Sequence, residues 1–124
     1  MTINPLARAR GHGSARQGVH HWYLQRATAL LLIPLTGWLL YAIISLSGRN
    51  YADAIAFLGH PLNSTAAILL AIAGFYHAIV GLQVVIEDYV HTPAIELSLQ
   101  FLVRALAYAG MVASVLQILK IALA

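Results

Sequence analysis

Between Arg26 and Arg49 lie twenty-two residues, Ala27 to Gly48, without a single charged side chain. Wound as an α-helix, they rise about 33 Å, close to the thickness of the hydrocarbon core of a bilayer. In water such a run would have to be wrapped by a large domain. The whole chain has only 124 residues, of which 60% are hydrophobic and 9% charged, whereas soluble domains carry about a quarter charged residues. Its apolar residues outnumber anything that could cover them, so the bilayer is the solvent to expect. The run also exceeds the roughly 7 to 15 apolar residues of a secretory leader. It contains Pro34, Trp38 and Tyr41 as well, and a retained span is therefore expected.

Two more spans follow. Residues 1–24 read as a polar arm, with Arg8, Arg10 and Arg16, the glycines Gly11, Gly13 and Gly18, and no apolar periodicity. Residues 25–48, 64–87 and 94–120 read as transmembrane helices. The stretch Arg49 to Asn63, with Asp53, Gly59 and Pro61, breaks the pattern, and Ser64 or Thr65 is the expected cap of the second span. Residues 87–93 make a short polar connection, in which Pro93 suits the first turn of the third span. The expected fold is thus an all-α membrane protein forming one domain over residues 1–124.

Charge sets the orientation. Lys and Arg number 7 against 4 Asp and Glu, but Arg8, Arg10, Arg16 and Arg26 cluster ahead of the first span, and the first loop holds only Arg49. That asymmetry predicts a cytoplasmic N-terminus and a cytoplasmic 87–93 connection, or a matrix-facing pair in an organelle. It accounts for the positive charge without nucleic acid. The absence of cysteine excludes disulfides, iron–sulfur ligation by this chain, thiolate zinc sites and a cysteine nucleophile. No glycine-rich phosphate loop, H-E-x-x-H or G-x-S-x-G is present, and the chain is not expected to be an enzyme by itself.

Four groups of residues could carry chemistry. His77 lies deep in the second span, where ionisable groups are costly and usually face the bundle interior. Ala73 and Gly74 precede it by one turn and Gly81 follows by one turn, so a flat macrocycle could approach an imidazole that is able to ligate haem iron. Equally, His77 could hydrogen-bond a neighbouring helix, with the glycines allowing close packing. Asp88 and Tyr89, at the cytoplasmic end of that span, could hold a quinone-like carbonyl or serve as an interfacial anchor. His20, His21 and Arg26, beside Trp22 and Tyr23, form either a basic flank with an aromatic belt or a set of cationic donors for carboxylates such as haem propionates. Glu96, Gln100 and Arg104 recur at i, i+4 and i+8 and make one polar stripe on the third span, expected to face protein with Arg104 reaching towards the interface.

The segments Gly18-Val-His-His-Trp-Tyr-Leu-Gln-Arg-Ala-Thr-Ala29 and His77-Ala-Ile-Val-Gly-Leu-Gln-Val-Val-Ile-Glu-Asp-Tyr-Val90 resemble the two signature regions of the succinate dehydrogenase hydrophobic membrane anchor family. The likeness extends over nearly the whole chain, with the third span matching only as an apolar helix. The resemblance implies that His77 is an axial ligand of haem b, shared with a second membrane anchor subunit that supplies the opposite ligand. It implies that Tyr89, with Asp88 beside it, binds ubiquinone as substrate, and that Arg26 and His20 lie near the haem propionates. His21 stands where relatives often carry an acidic residue, and the resemblance assigns it no role; Glu96 and Arg104 have no counterpart.

On this reading the three helices join a bundle completed by the second anchor. Together the two anchors would fasten the iron–sulfur and flavoprotein subunits of succinate:quinone oxidoreductase to a bacterial inner membrane, or to the mitochondrial inner membrane in a eukaryote. The resemblance allows for a trimer of such four-subunit complexes. Two rival classes are a structural assembly subunit without redox cofactor and a small proton- or ion-conducting subunit using His77, Arg104 and Glu96. Paired repeats and interrupted helices, the usual marks of a transporter, are absent from the sequence.

Overall fold

A computed structural model of the chain describes residues 16–124, with side chains from Val19 onward. Arg8, Arg10, Gly11 and Gly13 of the expected arm lie outside the described residues, as does the side chain of Arg16. Four helices follow one another: α1 (Arg16–Leu46), α2 (Tyr51–Gly59), α3 (Pro61–Tyr89) and α4 (Pro93–Ala122). Three of them, α1, α3 and α4, are long and apolar enough to cross a membrane.

The helices outrun the apolar runs that announce them. α1 is already helical at Arg16, the first described residue, ahead of the expected start near residue 25; Trp22, Tyr23 and their polar neighbours continue the backbone ladder with no proline to stop it. Pro34 sits inside α1 without ending it, as membrane helices tolerate. What ends α1 is Gly48, the described residue with a positive φ, 74°; there Arg49 N–H donates to the Leu46 carbonyl at 3.1 Å.

The stretch expected to be irregular holds α2. Asn50 caps it by accepting from Asp53 N–H at 2.9 Å, and the Asp53 carboxylate accepts from Asn50 N–H at 3.4 Å, closing a capping box. His60 then caps α3, accepting from Leu62 N–H at 3.3 Å through Nδ1, with Pro61 in the first turn. The expected caps Ser64 and Thr65 are therefore inside α3. Ser64 is buried and donates its hydroxyl back to the preceding turn, as does Thr65 to the Pro61 carbonyl at 2.7 Å. Proline satisfies a helix start better than a serine three residues on, since its missing N–H is one that the first turn leaves unpaired anyway. Pro93 begins α4 as expected, after a connection of three residues, 90–92.

α3 is the axis of the molecule: α1, α2 and α4 all pack against it. Five of the buried residues, Ser64, Ala73, Ile79, Val80 and Ile86, belong to α3, and α4 buries none of its own. From α1 come Leu35 and Ala42, the last two of a seam with a seven-residue spacing, His21, Thr28, Leu35 and Ala42. A repeat of seven keeps one face of a helix turned to its neighbour. On α4 the close approach is made at Gly110, where a Cβ would stand 2.8 Å from Phe75 Cε1. Away from α3 the large apolar side chains are exposed, Ile33, Ile44, Leu97, Phe101 and Leu106 among them. In water such a surface would aggregate; in lipid or against other helices it is the proper outer face.

Candidate functional site

The seam between α1 and α3 becomes polar towards the end where α1 starts and α3 finishes. His77, half-buried on α3, meets Thr28 of α1 through its Nδ1, 3.0 Å from the Thr28 hydroxyl. Two turns closer to the interface, His21 Nε2–H donates to Gln83 Oε1 at 3.1 Å. The same oxygen accepts from Arg104 of α4 at 2.9 Å, and the Gln83 amide nitrogen donates to Glu87 at 2.8 Å. Gln83 thus ties three helices together with one side chain. The α4 stripe takes part as expected: Gln100 donates to Glu96 at 3.2 Å, and Arg104 reaches α3.

Around His77 the two flanking glycines remain open. A Cβ built on Gly74 or Gly81 would meet nothing within 4 Å. They are therefore not packing notches for another of the described helices. Beside Gly74 opens an apolar hollow of about 330 Å³, lined also by Leu39, Leu70, Ala71, Phe75 and Ala78. No hydrogen bond among the described residues involves His77 Nε2, and no buried side-chain nitrogen or oxygen there lacks a partner. The unpartnered Nε2 is therefore not fully enclosed by the described residues, on an imidazole already held by Thr28. A single ring nitrogen at an open face suits an axial ligand of haem, whose second ligand would come from elsewhere. Among the described residues no three His, Asp or Glu side chains gather into a metal cluster.

Asp88 and Tyr89 are the last two residues of α3, both exposed, Tyr89 to 79%. Their neighbour Glu87 is engaged by Gln83, whereas neither Asp88 nor Tyr89 makes a side-chain hydrogen bond among the described residues. A phenol hydroxyl and a carboxylate are left free side by side. Twelve residues separate Tyr89 from His77, about 18 Å along the helix.

Arg26 and His20 are not joined to His77. Arg26 lies over the Trp22 ring, 5.4 Å from its centroid, and two residues along a helix put it on the opposite side of α1 from Thr28. His20 is exposed on the same terminal turns. Both remain at the end of the molecule that carries Tyr89. Thr28, Gln83 and Gly110 carry no role in the sequence alone. Thr28 had a signal, its seven-residue spacing with His21 and Leu35; for Gln83 the signal was Glu87 one turn on. Gly110 had none.

Residues 2–117 match the family described as Succinate dehydrogenase/Fumarate reductase transmembrane subunit. The chain belongs to that family. It is similar to the succinate dehydrogenase hydrophobic membrane anchor subunit of Rickettsia bellii, 40% identical over 68% of each chain. The protein of the same name from Rickettsia typhi is 26% identical over 91% of this chain and 90% of its own length. That of Paracoccus denitrificans is 30% identical over 70% of this chain and 67% of its own. As a transmembrane subunit of the succinate dehydrogenase/fumarate reductase type, the chain has its exposed apolar faces explained: they are surfaces for lipid and for other subunits.

Proposed function

We propose that this chain is the smaller of two membrane anchors that hold the flavoprotein and iron–sulfur subunits of succinate:ubiquinone oxidoreductase to the membrane, and that it contributes to a haem b site and a quinone site. The observation that carries this reading is the His77 ring, held at Nδ1 by Thr28 and open at Nε2. Nε2 would hold haem b from this chain's side, and the second anchor would hold it from the other. Haem b, when bound, supplies a one-electron carrier whose potential its ligands set.

This chain's own residues do three things. Gly74 and Gly81 leave space on either side of the imidazole for a flat group. Tyr89 donates its hydroxyl proton in a hydrogen bond to a quinone oxygen, with Asp88 beside it accepting from donors at the same site. Arg26 and His20, at that end of the bundle, provide cationic donors for haem propionates. The N-terminus and the 90–92 connection face the cytoplasm, so that Tyr89 lies on the side where the peripheral subunits dock and deliver electrons from succinate. Succinate itself is oxidised on other chains.

The test is a dithionite-reduced minus oxidised optical spectrum of the complex that copurifies with the chain. A sharp low-spin b-type signal is expected, lost or altered in His77→Ala while the chain still inserts. An unchanged spectrum in that variant rejects ligation by His77. In Tyr89→Phe, quinone reductase activity should fall roughly tenfold or more with haem content intact, in line with the loss of one hydrogen bond of about 1.5 kcal/mol. Full activity there removes the hydroxyl from the quinone site.

A further inference from the structure

We infer that Thr28 is the positioning residue of the haem site: its hydroxyl accepts the Nδ1 proton of His77 and thereby holds the ring in the tautomer whose Nε2 is a lone-pair donor. The inference rests on the reading of His77 as an axial ligand. It follows from counting protons. A hydroxyl has one hydrogen and two lone pairs. Thr28 Oγ1 stands 2.8 Å from the Leu24 carbonyl oxygen and 3.1 Å from that of Gln25, one turn back on α1. Carbonyls only accept, so the single hydroxyl proton is committed to α1. The third neighbour, His77 Nδ1 at 3.0 Å, must then bring the proton of its own bond.

Nδ1 is therefore the protonated nitrogen and Nε2 the bare one, which is the form that binds a metal. Three consequences follow from that arrangement. The rotation of the imidazole is pinned to a residue that is itself pinned to helix backbone, so the ring plane is set by the packing of α1 on α3. The Nδ1–H finds its acceptor inside the bilayer, where a proton without a partner is costly. And a ligand histidine whose distal N–H is hydrogen-bonded is a stronger donor to iron, which favours the ferric state and lowers the reduction potential.

The experiment compares Thr28→Val with Thr28→Ser in the purified complex, reading haem retention, the reduced-minus-oxidised spectrum and the haem reduction potential. Thr28→Val keeps the shape and loses the acceptor. Haem should be held about tenfold to a hundredfold more weakly, as on loss of other outer hydrogen bonds to ligands, and the potential of the remaining haem should move upward. Thr28→Ser keeps the hydroxyl and should restore both. A Thr28→Val complex with unshifted potential and full haem overturns the inference. Should that variant fail to assemble, Thr28→Ala against Thr28→Ser makes the same comparison, since both lack the methyl and only one has the hydroxyl; equal potentials in that pair overturn it as well. His77→Ala is read in parallel: if that variant loses its haem while Thr28→Val is silent, only the role of Thr28 falls, and if it keeps the wild-type spectrum, the ligand reading itself falls.

Discussion

The two ends of this small bundle are held together by different chemistry. At the end that carries Tyr89, helices are joined by side chains crossing between them: His21 to Gln83, Arg104 to Gln83, and Thr28 to His77 deeper in. At the opposite end aromatic packing dominates, with one polar side-chain bridge from α1 to α3. Trp38 and Tyr41 gather on Phe57 with ring centroids 6.4 and 6.1 Å apart, and Asn63 accepts from the Trp38 indole at 3.1 Å while donating to the Phe57 carbonyl. There α2 folds back onto α3 and α4, and the space above it is an apolar hollow of about 570 Å³. Polar ties specify one register, because each donor must meet its acceptor. Aromatic packing closes a surface with looser geometric demands. The half richer in such ties is the one that carries His77 and Tyr89.

Substitutions can break that contrast. The largest effect is expected between the two ends, at Gly110→Leu, where even a Cβ would stand 2.8 Å from Phe75. Overpacking of this kind costs about 1–3 kcal/mol, and the SDS-denaturation midpoint of the complex should fall accordingly; an unchanged midpoint would show that α4 can slide on α3. Gln83→Leu comes next. It removes the acceptor shared by His21 and Arg104, and interhelical hydrogen bonds in membranes average about 0.6 kcal/mol each with maxima near 1.7. A loss of about 1–2 kcal/mol by the same measurement is expected, with destabilisation confined to the Tyr89 end. Asn50→Ala should cost the least, about 1 kcal/mol for one exposed cap, visible as faster hydrogen exchange over residues 51–59. Equal protection of α2 in that variant would mean that its contacts with α3 and α4, rather than its cap, hold it.

Much of the architecture was legible in consecutive residues. The uncharged run after Arg26 announced α1, the proline at 93 announced the start of α4, and the polar stripe of Glu96, Gln100 and Arg104 announced a face turned towards protein. α3 starts earlier than the sequence suggests: Ser64 and Thr65 look like caps, while Pro61 and His60 do that work together. The capping box of α2, Asn50 with Asp53, is written in the sequence, but Gly59 and Pro61 mark only the break after the helix and do not announce the helix itself. In the candidate site, His77, Asp88 and Tyr89 stood out as polar groups in or beside an apolar span. Thr28 and Gln83 did not, since a threonine that can satisfy itself on its own helix and a glutamine near an interface look ordinary until a partner is seen.

The sequence by itself determined that this chain lives in a bilayer, that it crosses three times, and that an imidazole sits near the middle of the second span. These are matters of hydropathy, length and local order, and each is a property of neighbours along the chain. Only the tertiary structure decided which atom of His77 is occupied, that Gln83 binds three helices, and that Gly110 is the point where α4 meets α3. Those depend on the rotation and offset of one helix against another, settled by residues as far apart as Thr28 and His77. Lipid is as apolar as the helix surfaces it solvates, so the choice of register falls to close packing and to a few hydrogen bonds whose donors must not go unpaired.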